Sequence, residues 1–190
     1  MQFVKEHSFS TLEVKQSKFI AHLIPYELYD TTLEILKQEH PKARHFVTAY
    51  RYLNEFDQIV ENSSDDGEPK GTSGKPSLMV LQGQELINTA VIIVRYFGGT
   101  KLGTGGLVRA YSDAVNLAIT EAELFMYEKE FIQAIQLDYA DVRFLEYECE
   151  LLGVKITDKK FEKEVSCILK APRENLTQLL DKLKRVVKLL

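Results

Sequence analysis

The chain has no apolar run approaching the ~18–20 residues that cross a bilayer, and no transmembrane helix is expected. Its first residues, Met1-Gln2-Phe3-Val4-Lys5-Glu6-His7, lack the apolar core of a secretory signal, so a cytoplasmic protein with no membrane association is expected. Cysteine is scarce. Cys149 and Cys167 stand in no metal-ligand spacing, and in a reducing compartment they remain thiols, which leaves no basis for a disulfide framework or a zinc site. Each falls on an apolar face, Cys149 with Val142, Leu145 and Leu152, and Cys167 with Val165 and Leu169, the usual setting of a buried packing thiol. An excess of positive charge is missing too. The net charge is −4, with 13 Lys and Arg against 17 Asp and Glu in residues 1–129 and 11 of each in 130–190. Non-specific nucleic-acid binding normally shows as a basic excess, so any such role here rests on a local patch, and sequence-specific DNA binding is not expected.

What remains is an ordinary globular composition, 45% hydrophobic and 27% charged, in 190 residues, more than one typical domain of roughly 100–150. Residues 13–24 read as an extended segment ended by Pro25. Tyr29, Leu33 and Leu36 then recur at helical spacing before His40-Pro41, and His45–Leu53 alternates as a strand does. From Asn54 to Pro76 the apolar pattern lapses while Gly67, Pro69, Gly71, Gly74 and Pro76 accumulate, which predicts a long loop, with residues 54–74 the most mobile internal segment. Residues 90–94 are apolar without alternation, as in a strand covered on both faces. An amphipathic helix runs through Leu107, Val108, Tyr111, Val115, Ala118, Ile119 and Ala122, with Thr104 as its expected N-cap.

A second unit begins near Glu130. It reads as a strand through 132–137, a helix opened by Asp138 and closed by Gly153, strands near 154–157 and 165–169, a helix starting at Pro172 and a short strand over 186–190. The order β-α-β-β-α-β is the split βαβ pattern. The division expected is therefore 1–129 and 130–190, in an α+β chain of two domains.

Chemistry concentrates between Asp65 and Arg109. Gly98-Gly99-Thr100-Lys101-Leu102-Gly103-Thr104-Gly105-Gly106 joins a buried strand to the amphipathic helix, where free backbone N–H groups and the helix dipole attract anions. Lys101 and Arg109 flank that turn, no acid precedes Asp113, and Lys75 and Arg95 lie nearby in sequence. Gly103, Thr104, Gly105 and Gly106, with Lys75, Arg95, Lys101 and Arg109, are thus candidates to bind an anion or nucleic acid. The competing reading is that the glycines only make a tight turn and allow close packing. The spacing fits neither G-x-x-x-x-G-K-[ST] nor G-x-G-x-x-G, since Val108 stands where the last glycine belongs, and no nucleotide cofactor is expected. Asp65, Asp66 and Glu68 lack calcium-loop spacing and read as a solvated acidic turn, with internal ion pairs to the nearby cations as the alternative. The four histidines fall in different elements; His45, with Arg51 behind it, is the best accessory candidate. No catalytic residue or bound metal is assigned.

The blocks Asp65-Asp66-Gly67-Glu68-Pro69, Gly71-Thr72-Ser73-Gly74-Lys75-Pro76 and Arg95-Tyr96-Phe97-Gly98-Gly99-Thr100-Lys101-Leu102-Gly103-Thr104-Gly105-Gly106-Leu107-Val108-Arg109-Ala110-Tyr111 resemble the signature of the IMPACT family, in particular its bacterial YigZ-type members. Ser17–Ala21 and His45–Arg51 resemble its upstream blocks, so the likeness covers about residues 13–120. It implies an N-terminal domain like domain IV of elongation factor G and a small-subunit ribosomal protein, followed by a ferredoxin-like domain similar to that factor's domain V. Eukaryotic relatives are linked to translational control through a protein partner of a stress kinase. The resemblance therefore points to a non-enzymatic, translation-associated protein contacting RNA or a ribosome-linked partner through the 65–109 surface. A small-molecule phosphate-binding enzyme using Gly103–Gly106 and a purely protein-binding regulator are the alternatives.

Overall fold

The computed structural model describes residues 1–190, which fold as a mixed α/β chain with three sheets and divide into two compact units, Met1–Tyr127 and Glu128–Leu190. The first unit runs β1 (Gln2–Phe3), β2 (Ser8–Val14), β3 (Ser17–Pro25), α1 (Tyr29–Glu39), β4 (His45–Leu53), β5 (Ile59–Ser64), α2 (Gly74–Gly83), β6 (Thr89–Tyr96), α3 (Gly103–Glu121) and β7 (Phe125–Met126). Its main sheet has the order β2-β3-β6-β4-β5, every pair antiparallel, and β1 pairs with β7 in a separate ribbon.

The extended segment predicted over 13–24 is a hairpin. Lys15 and Gln16 both have positive φ, 46° and 65°, between the paired residues Val14 and Ser17. Two left-handed residues in a two-residue loop match the right-handed twist of the strands, but the usual signal is Asn-Gly or Asp-Gly, and Lys-Gln does not give it. Gly98 closes onto this turn: a Cβ there would stand 2.0 Å from the Gln16 carbonyl carbon, so only glycine lets the end of β6 pass.

β6 is the central strand and is covered on both faces, as its unbroken apolar run implies. Val91 and Ile93 pack with Phe19, Ala21, Leu23, Val47, Ala49 and the apolar stripe of α3, while Ala90, Ile92 and Val94 pack with Ile20, Ile24 and Leu36 beside α1. The sheet thus carries α2 and α3 on one side and α1 on the other. Tyr111 of α3 is fully buried edge-to-face on Phe19, ring centroids 5.1 Å apart, anchoring the helix to the sheet.

The long loop expected over 54–76 is not one loop. It contains the edge strand β5, paired with β4 from Thr48↔Ser64 to Leu53↔Ile59, and the first residues of α2. Thr104 is not a cap: α3 begins at Gly103, Leu102 occupies the cap position, and no side chain bonds there.

The second unit comprises β8 (Glu130–Leu137), α4 (Val142–Leu151), β9 (Lys155–Phe161), β10 (Val165–Pro172), α5 (Arg173–Leu183) and β11 (Val187–Leu189). Asp138 opens a 3₁₀ turn over Tyr139–Asp141 rather than α4 itself, and Gly153, at φ 62°, follows the end of α4. The antiparallel sheet has the order β11-β8-β10-β9. Strict alternation along β10 sends Val165, Cys167, Leu169 and Ala171 into a core with Leu145, Cys149, Leu176, Leu179 and Leu183. Burial pushes both thiols up, Cys149 to about 11, as expected of packing cysteines.

Candidate functional site

Alternation along two neighbouring strands builds the site. Arg95 follows Val91 and Ile93 onto the α2/α3 side of the sheet, His45 shares that side with Val47 and Ala49, and the register pairs His45 directly with Arg95. Arg95 is therefore a cation at the end of an apolar row, and its side chain is only 7% exposed. A charge so placed requires a partner. Glu68 supplies it: its side chain is 3% exposed, and its Oε1 accepts hydrogen bonds from Arg95 Nη1 and from Tyr111 Oη, the latter at 2.8 Å. Burial, reinforced by the Glu68 charge and hydrogen bond, pushes the Tyr111 hydroxyl far above its ordinary value, so it acts as a fixed donor.

The solvated acidic turn is overturned at Glu68, where the alternative of an internal ion pair holds; Asp65 is half-buried and Asp66 remains exposed, each bonded to backbone. Glu68 is the buried anchor just described. Asp65 folds the backbone around itself: Oδ2 accepts from Gly71 N at 2.7 Å, and Oδ1 from Ser73 N, Ser73 Oγ and Gly74 N at 3.1, 2.7 and 2.8 Å. Burial alone raises the Asp65 pKa, but these donors outweigh it and hold the carboxyl below its usual range. Asp66 Oδ2 accepts from Phe46 N at 2.6 Å, and its carbonyl oxygen lies 2.7 Å from His45 Nδ1. A carbonyl can only accept, so Nδ1 carries the proton, and Nε2 is left 3.8 Å from Glu68 Oε1. No group of three or more His, Cys, Asp or Glu side chains is arranged to hold a metal ion.

Beside this network lies a cleft of about 430 Å³, lined by Arg44, His45, Glu68, Pro69, Arg95, Phe97, Lys101, Leu102, Gly103, Thr104 and Leu107. The first turn of α3 opens onto it with no acidic residue and no side-chain cap, leaving N–H groups and the positive end of the helix dipole uncompensated by this chain's side chains. Arg95 is largely neutralised by Glu68, so the surplus positive charge comes from Arg44 and Lys101, both exposed.

The structure thus brings His45, Arg95, Lys101, Gly103 and Thr104 together with Glu68. Gly105, Gly106 and Arg109 continue along α3 outside the cleft lining, and Lys75 is exposed at the start of α2, also outside it. Arg51 does not belong: its Nε bonds Glu61 at 2.6 Å and its Nη1 the Leu86 carbonyl at 2.8 Å, so it ties β4 to β5 and to the segment that follows α2. Sequence reasoning missed Arg44 and Phe97 as contributors. Only the position of Arg44, one residue before His45 at the start of β4, could have suggested it.

It also missed a histidine cluster on the α1 side of the sheet. His7 Nε2 and His22 Nδ1 are 2.9 Å apart, and the His40 ring lies 6.4 Å from that of His22. Burial, with His7 and His40 alongside, pushes His22 down to about 4. Their separation of 15 and 18 residues along the chain concealed this.

Comparison with known proteins bears on the same residues, because positions 15–119 match the model of the Impact N-terminal domain. The chain belongs to the IMPACT family, among its bacterial YigZ-type members. An IMPACT family member of Haemophilus influenzae is 38% identical over 160 residues, covering 83% of this chain and 78% of that protein. YigZ of Escherichia coli is 43% identical over 112 residues, which span 57% of this chain and 55% of YigZ. A crystal structure described as that of a hypothetical protein superposes with a TM-score of 0.72 at 30% identity, covering 100% of this chain and 95% of its own.

Proposed function

We propose that this IMPACT family protein is a non-enzymatic, translation-associated binding protein that engages RNA through the face built by residues 65–109. The observation that carries the reading is the cleft in which Arg44, His45, Arg95 and Lys101 meet the uncapped, acid-free first turn of α3. That is a local anion site on a chain of net charge −4, the only form a nucleic-acid role could take here. The association with translation rests on family membership and on reading the first unit as an elongation-factor domain IV type and the second as ferredoxin-like. The order β11-β8-β10-β9 with both helices packed on one core supports the second of these.

The test replaces the exposed cations and spares the buried one. The combined variant Arg44→Ala, Lys101→Ala, Arg109→Ala should fold normally, bind RNA or ribosomes more weakly and lose about 0.7–0.9 in log–log salt slope per phosphate contact removed. Unchanged affinity and slope in that variant would remove RNA as the ligand and place a protein partner first.

A further inference from the structure

We propose that residues 5–10 form a flap over the edge of β3, closed by the hydrogen bond between His7 and His22 and opened when that imidazole pair takes up a proton. The device lies on the α1 side of the sheet and is independent of the RNA reading.

The flap is fixed at both ends and weakly held between them. Before it, Gln2 donates its N–H to the Glu85 carbonyl at 3.0 Å and accepts from Ile87 N at 2.8 Å, and Val4 is buried in the core. After it, Leu12 and Val14 pack against the same core. The stretch between pairs with β3 through Ser8↔Leu23, Phe9↔His22 and Ser10↔Ala21, at the end of the hairpin away from its turn at Lys15-Gln16. Its polar fit to β3 is poor. Ser8 Oγ, Ser10 Oγ and His22 Nε2 are three of the four buried side-chain atoms of the chain that lack a hydrogen-bond partner. Each orphaned group carries a desolvation cost that opening relieves, which places this stretch at the low-stability end of the fold.

Protonation acts at the histidine pair. His7 Nε2 and His22 Nδ1 lie 2.9 Å apart, so one bears a hydrogen and the other a lone pair. In the neutral pair His22 donates from Nδ1, the arrangement that keeps an N–H off its buried, partnerless Nε2. An added proton either sets two N–H groups against each other across the contact or moves a hydrogen onto that Nε2. Both outcomes are unfavourable only while the flap is closed. Around the pair, β2 contributes the Phe9 ring stacked on His22, β6 contributes Ile92 and the Tyr96 hydroxyl, and α1 contributes His40 and Glu39. The Glu39 charge draws a proton toward His7. His40, bonded to Tyr96 at 2.9 Å with its ring 6.4 Å from that of His22, opposes a second charge there. Burial, then His7 and His40, push His22 down to about 4. A histidine whose value falls on closing binds its proton better when the flap is open. Closure is therefore fully favoured above about pH 6.5, the ordinary histidine value, and is lost progressively as pH falls toward 4. Over that range the closed-to-open ratio changes by about 300-fold, or about tenfold per pH unit.

The experiment follows backbone amide exchange of the full chain by NMR between about pH 5 and 8, with rates converted to protection factors so that the intrinsic pH dependence of exchange is removed. Protection at residues 8–10 is expected to fall by nearly tenfold per pH unit below about 6.5, while residues 91–94 of β6 keep theirs. His22→Gln and His22→Phe, which carry no titrating ring, should each flatten that dependence. His7→Ala, at an exposed position, should lower protection at residues 8–10 already at pH 8, since it deletes the closing bond. Where the His22 variants fail to fold, His7→Ala and titration of the histidine ring protons in the parent protein decide, His22 being expected to titrate well below 6.5. Protection at residues 8–10 that is flat with pH, that falls in step with β6 or that survives His7→Ala overturns the flap. So does a pH dependence retained in a folded His22 variant, or a His22 ring that titrates at its ordinary value.

Discussion

Glu68 decides how the site is held. A carboxylate with 3% side-chain exposure that takes Arg95, Tyr111 and, at longer range, His45 is the hinge between the loop, β6 and α3. Removing one partner of a buried ion pair is more damaging than removing both, because the survivor stays charged in a dry environment. Glu68→Ala should therefore cost about 3–5 kcal/mol in urea unfolding, and Glu68→Gln less, since the amide oxygen still accepts. Tyr111→Phe, which deletes one hydrogen bond to a carboxylate that keeps another, should cost only about 1.5 kcal/mol. Equal effects of Glu68→Ala and Tyr111→Phe would show that Arg95 finds another partner and that Glu68 is not the anchor. The Asp-Asp-Gly-Glu-Pro block is legible in the sequence as an acidic turn, but the burial of Glu68 within it is not. That follows from Arg95 facing inward, and the inward face of a strand end is fixed by the register with β3 and β4 rather than by local composition.

At the scale of elements, strongly periodic stretches were readable and edges were not. α3, β6 and the second unit's alternating strands follow from apolar spacing that tertiary contacts reinforce. β5 escaped notice because an edge strand reading Ile-Val-Glu-Asn-Ser-Ser buries almost nothing, and its partner is chosen by the hairpin from β4. α2 escaped because its cap is remote. Capping signals are sought next to a helix start, whereas Asp65 reaches Ser73 and Gly74 from eight and nine residues upstream. The segment expected to be most mobile is in this way tied to a single carboxylate. Asp65→Ala should cost about 2–3 kcal/mol, since it strands several donors at once, and should open residues 65–74 to brief proteolysis. The pH dependence has a definite sign. A carboxyl held below its usual range contributes fully above the unfolded value of about 3.9, and that contribution is lost as pH falls through the lower native value. The stability gap between the parent protein and Asp65→Asn should accordingly narrow below about pH 4. A gap constant down to strongly acid pH would show that the ionised carboxylate is not what orders the turn.

For the molecule as a whole, the hydrophobic residues fall into separate groups. The cores on the two faces of the large sheet draw on positions from Val4 to Leu124, and the remaining core on positions from Phe131 to Val187, with no residue shared. Cores that share no residue can order independently, and each unit then melts with its own enthalpy. The second unit is small for a single core, a size at which only about 60% of the unfolded chain's surface is buried and stability is marginal. Calorimetry of the full chain is therefore expected to resolve two transitions, the lower from residues 128–190, and the fragment 1–127 should retain the upper one. Because the cleft is assembled entirely from residues 44–107, that fragment should also bind RNA with the salt slope of the full chain. One transition whose calorimetric and van't Hoff enthalpies agree for the entire chain would mean that the units unfold together. A fragment that keeps its upper transition but loses RNA binding would mean that residues 128–190 supply contacts the cleft alone does not.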